Sequence, residues 1–369
     1  MVEWKKLDTL IDFEQPTSYL FKSTEYDDSY DTPVLTAGQS LLLGYTDEKD
    51  GIYKASKERP CIIFDDFTTS FHWVDFDFKV KSSAMKMLKP KEKVNFRYVY
   101  YAMLGINYVP SGHQRHWISK YSQFEIPIPP VSEQTRIVDI LDTFTASIEN
   151  LKEQITQRRK QYEYYRDQLL DLEGKEGVEM KTLGEVCIIK NGYTPSTKNP
   201  DFWNDGTLPW FTLEDIRKNG RILYDAIKHI TPLGVKKGGL FQKESIIVST
   251  TATIGEYALI KTDFLCNQQI TCLSIKETGE KQLLPKYLYY LSDGIGKWCK
   301  KNVNGGGSLL IVSTSKLNDL TIPVPSLEEQ SRIVSILDTF EASIANLEAQ
   351  LKDREKQYEY YRNKLLTFE

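Results

Sequence analysis

Few residues of this chain have types and spacings that could do chemistry. His113 and His116 stand three apart in the segment SGHQRHW (111–117). Zinc asks for two more ligands and no cysteine lies near in sequence, so the pair reads as a polar loop and no metal site is expected. Base methylation would need a glycine-rich cofactor loop and an Asn-Pro-Pro-aromatic motif. Asn199-Pro200-Asp201-Phe202 lacks the second proline and reads as a surface turn. Pro200-Asp201 begins a nuclease pattern, yet no strand with acid-x-Lys follows to hold a divalent metal. Phosphate-loop, zinc-protease and serine-hydrolase motifs are missing too, so no catalytic residue is expected. Cys61, Cys187, Cys266, Cys272 and Cys299 form no C-x-x-C pair and read as reduced core thiols of a cytoplasmic protein.

Binding chemistry is better represented. In the second half, loops combine small hydroxyls, glycine amides and lysines, which suit phosphate oxygens. They are Gly192, Tyr193, Thr194, Pro195 and Ser196; Lys236 and Lys237; Ser249, Thr250, Thr251 and Thr253 within STTATIG (249–255); and Lys300, Lys301, Asn304 and Ser308. In the first half, Gln114 and Arg115 beside His113 are types that read adenine and guanine edges. Lys81 and Lys86 belong to a local cluster with Lys79, Lys89, Lys91 and Lys93. For each segment the plain alternative is a solvated loop.

Charge narrows the binding classes. The net charge is -4, which argues against a basic protein that coats nucleic acid. Residues 178–325 hold 18 Lys and Arg against 14 Asp and Glu, whereas residues 1–125 hold 16 against 18. Any duplex contact must therefore rest on local surfaces or on a partner. No apolar run of about 18 residues occurs and the charged N-terminus lacks an apolar core, so neither a membrane span nor a signal peptide is expected.

The elements that position these loops come in two copies. Residues 126–170 and 322–366 align without a gap at an offset of 196, with about two thirds of positions identical. Weaker parallels extend outward: CIIFDDFTT (61–69) with SIIVSTTAT (245–253), and FRYVYYAMLGI (96–106) with PKYLYYLSDGI (285–295). SGHQRHW occupies the place of GGGSLLIV in the second copy. CIIF, SIIVST, YALIK (257–261) and TCLSI (271–275) read as strands, and PKYLYYLSD as a short helix. The similar segment reads as a helix of about 40 residues, roughly 60 Å long. Its apolar seam alternates steps of four and three, the coiled-coil pattern. The first copy places Ile137, Leu141, Phe144, Ile148, Leu151, Ile155, Arg158, Tyr162, Tyr165, Leu169 and Leu172 on the seam. The second places Ile333, Leu337, Phe340, Ile344, Leu347, Leu351, Arg354, Tyr358, Tyr361, Leu365 and Phe368 there. Prolines bracket each start, Ser326 with Glu329 fits a capping box, and Gly174 and Gly177 stop the first helix. The expected fold is α+β: two globular mixed α/β domains joined by two long antiparallel coiled-coil helices, with a pseudo-two-fold internal repeat. The expected divisions are 1–125, 126–177, 178–321 and 322–369.

Taken together these features resemble the specificity subunit of type I restriction–modification systems. The resemblance covers the whole chain and is carried by E-Q-x-R-I-V at Glu133, Gln134, Arg136, Ile137 and Val138, repeated at Glu329, Gln330, Arg332, Ile333 and Val334. Gly192 to Ser196 matches the family's G-x-T-P-S, and Ser249 to Gly255 its strand-loop. The first domain departs from the pattern: it lacks G-x-T-P-S, and FDDFTT replaces STTATIG. The resemblance implies two target-recognition domains, each reading half of a bipartite duplex target, with the helices as spacer. It implies docking of two methyltransferase subunits and, in a restriction complex, of motor-nuclease subunits. S-adenosylmethionine and ATP with magnesium are expected on those partners, with no cofactor in this chain. The competing expectation is a coiled-coil adaptor that tethers two protein-binding domains without touching DNA.

Overall fold

A computed structural model describes residues 2–38, 40–91, 94–112, 114–280, 282–304 and 310–368. The chain divides into two compact units. One comprises residues 1–153 and 348–369, the other residues 154–347.

In the first unit β1 (Glu3–Lys6), α1 (Leu7–Leu10) and β2 (Ile11–Glu14) follow one another directly. Five strands come next: β3 (Thr32–Leu35), β4 (Leu42–Thr46), β5 (Cys61–Asp65), β6 (Phe71–Val74) and β7 (Lys79–Val80). The unit continues with β8 (Met85–Pro90), α2 (Phe96–Met103) and β9 (Glu125–Ile128), which leads into the long helix α3 (Val131–Leu170). A four-stranded sheet has the order β2-β8-β5-β6 and a three-stranded one the order β4-β3-β7, while β1 closes on β9. The apolar run CIIF of β5 is fully buried. Such a strand sits mid-sheet with both faces covered.

The second unit repeats the plan. β10 (Glu179–Thr182), α4 (Leu183–Val186) and β11 (Cys187–Asn191) correspond to β1, α1 and β2. Then come β12 (Leu208–Phe211), α5 (Leu213–Asn219), β13 (Ile222–Leu223), β14 (His229–Ile230), β15 (Ser245–Ser249), β16 (Tyr257–Ile260) and β17 (Leu265–Cys266). β18 (Ile270–Ile275), α6 (Glu277–Glu280), α7 (Pro285–Lys301), α8 (Thr314–Asn318), β19 (Thr321–Val324) and α9 (Leu327–Leu366) complete the chain. The sheets run β11-β18-β15-β16-β13 and β14-β12-β17, with β10 paired to β19. The added edge strand β13 is the main difference from the first unit. The four expected strands form where expected.

Helix α7 runs well beyond the expected short segment and takes in Gly294 and Gly296. Gly296 is there for space: a Cβ would meet the Gly255 carbonyl oxygen at 2.4 Å. Close backbone approach is a place where glycine is retained inside a helix despite its entropy cost.

Both long helices have 40 residues. Within the first unit they run antiparallel: Phe144 stacks on Tyr361 (5.4 Å) and Lys152 pairs with Glu355 (3.3 Å). Within the second unit Tyr165 stacks on Phe340 (5.5 Å) and Tyr162 donates to Glu341 (3.3 Å). The matching guanidiniums, Arg354 over Phe144 and Arg158 over Phe340, lie 5.7 and 5.9 Å from those rings.

The expected seam residues take several environments. Ile137 and Leu141 join the core of the first unit, and Ile333 and Leu337 that of the second; all four are fully buried. Ile155 is buried as well, whereas Ile148, Leu151, Leu169, Ile344, Leu347, Leu351, Tyr358 and Leu365 are half-buried. Leu172 and Phe368 lie past the helix ends, because α3 stops at Leu170 and Leu172 turns into the core. Of the expected capping box one half forms: Ser326 accepts the Glu329 amide (3.2 Å), but the Glu329 carboxylate grips Arg332 instead. No helix among the described residues is long and apolar enough to cross a membrane.

Candidate nucleic-acid interface

In the second unit three loop systems meet around the turn between β17 and β18. Gly192 is held so close to this turn that a Cβ would meet the Cys266 and Asn267 carbonyl oxygens at 2.2 and 2.4 Å. Tyr193 then ties its own loop to the lysine turn. Its hydroxyl donates to the Gly234 carbonyl (3.2 Å) and accepts the Lys236 amide (2.8 Å), and the Lys236 ammonium lies 4.4 Å from its ring. Thr194 donates to Gln268, and the Gln269 carbonyl accepts the Thr250 amide (2.9 Å). Ser196, Lys236 and Lys237 are exposed.

The STTATIG segment splits by direction. Ser249 and Thr250 are buried, which removes them from a free surface. The Ser249 hydroxyl accepts the Glu256 amide (2.8 Å), and the Thr250 hydroxyl pairs with Thr271 (2.7 Å), so both are satisfied inside the fold. Thr251 is half-exposed and Thr253 exposed. Lys300 and Lys301, expected in a loop, occupy the last turn of α7, where cations complement the helix dipole. Both are exposed, as is Asn304, whose amide bonds the Ile311 carbonyl (2.9 Å).

Sequence reading passed over Asn267, Gln268 and Gln269, which stand at the centre of this constellation. Three consecutive side-chain amides between two apolar strands were the available signal, since Asn and Gln can pair with adenine edges.

The first unit carries a different surface. Gln114 and Arg115 are exposed, and neither side chain has a partner among the described residues. His113, Lys93 and Ser308 lie outside the described residues. His116 is buried against Tyr108, whose hydroxyl lies 2.9 Å from Nδ1. The expected lysine cluster is not a basic patch. Lys79 and Lys86 are fully buried, paired with Glu48 (2.8 Å) and Asp66 (3.3 Å). Lys89 pairs with Glu14, and Lys91 with Asp12 (3.4 Å). Each of these four lysines ends beside a carboxylate from another strand or turn, the first two inside the fold and the last two at its surface. Lys81 stays exposed, its ammonium 5.1 Å from the Phe21 ring.

Electrostatics reinforces the inward role of these charges. Burial would raise the Glu48 carboxyl, but Lys79 and the Ser23 and Lys22 amides outweigh it and hold the group below its usual range. The cysteines behave as core residues, with burial pushing Cys61 and Cys187 up to about 12.

Known proteins resemble this arrangement throughout. A family model described as the type I restriction modification DNA specificity domain matches residues 1–158 and again 175–354. The specificity subunit of the type I restriction enzyme EcoR124I/EcoR124II from Escherichia coli is 43% identical over 394 residues, covering 100% of this chain and 94% of that protein. The Escherichia coli EcoprrI specificity subunit is 43% identical over 215 residues, 55% of this chain and 53% of that one. Among solved structures, a type I restriction–modification S subunit from M. genitalium superposes with a TM-score of 0.61 at 16% identity, covering 100% of this chain and 97% of that one. A chain from a study of type I complex assembly and conformational transition also gives 0.61 at 16% identity, covering 99% and 96%. The fold, the duplicated family match and the full-length relative agree: this chain belongs to the type I restriction–modification specificity subunit family.

Proposed function

We propose that this chain is the cytoplasmic, non-catalytic DNA-reading subunit of a type I restriction–modification complex, with each unit reading one half of a bipartite duplex target. One observation carries the reading. The same strand plan occurs twice, yet the exposed loops present different chemistry: Gln114 and Arg115 in one unit stand where the other has Leu310 and Ile311, and that other unit offers Gln268, Lys236 and Thr253 on its own loops. A scaffold repeated with dissimilar loops suits two different sequences read by one architecture. Phosphate contacts from lysines would supply register, and amide or guanidinium contacts to base edges would supply sequence.

The partners we assign are two copies of one methyltransferase subunit, which would carry S-adenosylmethionine, and motor-nuclease subunits that would use ATP and magnesium. Support for a partner bound twice comes from the helices. Lys160, Gln161, Glu163, Tyr164 and Tyr165 recur as Lys356, Gln357, Glu359, Tyr360 and Tyr361, all exposed. Tyr164 and Tyr360 are each 59% exposed. Other exposed positions have drifted freely, such as Arg159 against Glu355 and Gln168 against Lys364. Exposed tyrosines kept alike in both copies fit anchors for the same partner.

Exchange of residues 178–320 for the corresponding segment of another specificity subunit tests the reading. The methylated sequence mapped across a genome should change in one half and keep the other. A change in both halves, in neither, or no methylation dependent on this chain would overturn it.

A further inference from the structure

The two units differ at one buried position, which assigns a role to the charges of the first. In the second unit Thr250 and Thr271 join hydroxyl to hydroxyl (2.7 Å), and Thr271 donates to Asn191 (2.7 Å). Strand register places Asp66, Lys86 and Gln15 at the same three points of the first unit. Thr271 opposes Val248 on β15 and Lys86 opposes Phe64 on β5, while Asn191 ends β11 and Gln15 directly follows the last residue of the equivalent strand β2. Here Lys86 pairs with Asp66 (3.3 Å) and donates to Gln15 (3.1 Å), with the Lys86 and Asp66 side chains each 1% exposed. A neutral set therefore does the structural work at this place in one unit, and a charged set in the other. A buried ion pair is a poor way to gain stability, because desolvation offsets its attraction.

What the charged set adds is a grip on the neighbouring segment. Both units use the main chain in the same way: the Asp66 carbonyl accepts the His116 amide (2.8 Å), as the Thr250 carbonyl accepts the Val312 amide (2.9 Å). Only the carboxylate does more. Asp66 Oδ1 accepts the Trp117 amide (2.8 Å), whereas the Thr250 hydroxyl is taken up by Thr271. A charge-assisted bond to a backbone amide is short and directional. Lys86, itself bonded to Gln15, holds the carboxylate in place, and the Trp117 ring is wedged edge-on to Phe64 (5.0 Å). Directly before this anchor stand the exposed Gln114 and Arg115.

We propose that the buried Lys86–Asp66 pair, braced from the exposed side by Gln15, forms a polar strut that positions the Gln114–Arg115 loop for base reading in one half of the target. Lys86 is thus a positioning residue and touches no DNA. The inference rests on the DNA-reading function proposed above.

The test uses the full chain in complex with its methyltransferase subunits. The triple variant Gln15→Asn, Asp66→Thr, Lys86→Thr installs the neutral set at the same register. Binding is compared on the cognate duplex and on duplexes with single base changes in each half. Discrimination in one half should fall about ten-fold, the scale of one good base contact, at the same base pairs that Gln114→Ala and Arg115→Ala affect. The other half should keep its discrimination. Retained discrimination in both halves by a folded triple variant overturns the strut, and so does a uniform loss in both. Should the triple variant fail to fold, Asp66→Asn keeps the shape and removes the charge. Faster hydrogen exchange at the Trp117 amide with one-sided relaxation is then expected, and unchanged exchange overturns the proposal. A wild-type complex with no sequence preference would sink the reading function itself, whereas loss of the strut alone leaves wild-type preference intact.

Discussion

The two units follow one strand order but solve the same local problems with different chemistry. At the hairpin after the central strand, the second unit uses Gly255 with φ +90°, and the first uses Thr69 with φ +58°. Gly255 permits its backbone to cross α7 at Gly296. The first unit's α2 is a much shorter helix, Phe96–Met103. At the helix joint, Lys286 bonds both Asp338 (3.2 Å) and Glu341 (3.5 Å) in one unit, and Arg97 bonds Asp142 (2.7 Å) in the other. The comparison separates what the plan requires from what each copy is free to vary. Strand register and the helix joint are kept, while loops, edge strand and buried polar groups diverge.

The largest effect that could break this comparison is expected at the backbone crossing. Gly296→Ala gains about 1 kcal/mol of helix propensity, but its Cβ strikes a carbonyl oxygen that cannot swing aside. We expect a net loss of about 2–3 kcal/mol, confined to the second unit. Hydrogen exchange on β15 and β16 should quicken while β5 and β6 keep their protection. Equal loss in both units would mean that they do not respond separately.

Next come the helix residues that belong to the domain cores. Leu141→Ala and Leu337→Ala should each cost about 2–5 kcal/mol, as full burial implies. Ile148→Ala and Ile344→Ala, half-buried, should cost about 1 kcal/mol. Denaturant titration of the four variants checks the order. A mid-helix isoleucine as costly as Leu337 would show that the seam, rather than the core, holds the helix.

On the surface, Tyr164→Ala and Tyr360→Ala should leave folding stability within about 0.5 kcal/mol. Each should weaken one of two partner-binding events by about 2 kcal/mol, read by calorimetric titration with the methyltransferase subunit. Two undisturbed binding events would remove the tyrosines from the interface.

The smallest expected difference is in acid. Glu48 is held below its ordinary value of 4.5 in the folded first unit. Its contribution is therefore present above that pH and is lost as pH falls through the lower folded value. Glu48→Gln should flatten the loss of first-unit stability below pH 4.5 and leave the second unit's acid profile alone. Unfolding midpoints measured from pH 5 downward decide it; parallel profiles for variant and parent would show that Glu48 carries none of the linkage.

Much of the architecture was determined by residues near one another in the chain. The gapless repeat, the alternating seam and the apolar runs CIIF and SIIVST specify two copies, two helices and two central strands, because helix and strand periods are local properties. The fate of single side chains was not legible there. Lys79, Lys86, Ser249 and Thr250 look like surface binding groups in sequence, and all four are buried. Their partners Glu48, Asp66, Glu256 and Thr271 lie on strands or in the turns beside them, and the folded sheets bring them together. Gln268 escaped notice for the converse reason: it earns its central place only when Gly192, Thr194 and Thr250 converge on its turn. A side chain's type and neighbours state what bonds it can make. Whether those bonds are satisfied inside the protein or left for a ligand is decided by long-range pairing, which no local pattern encodes.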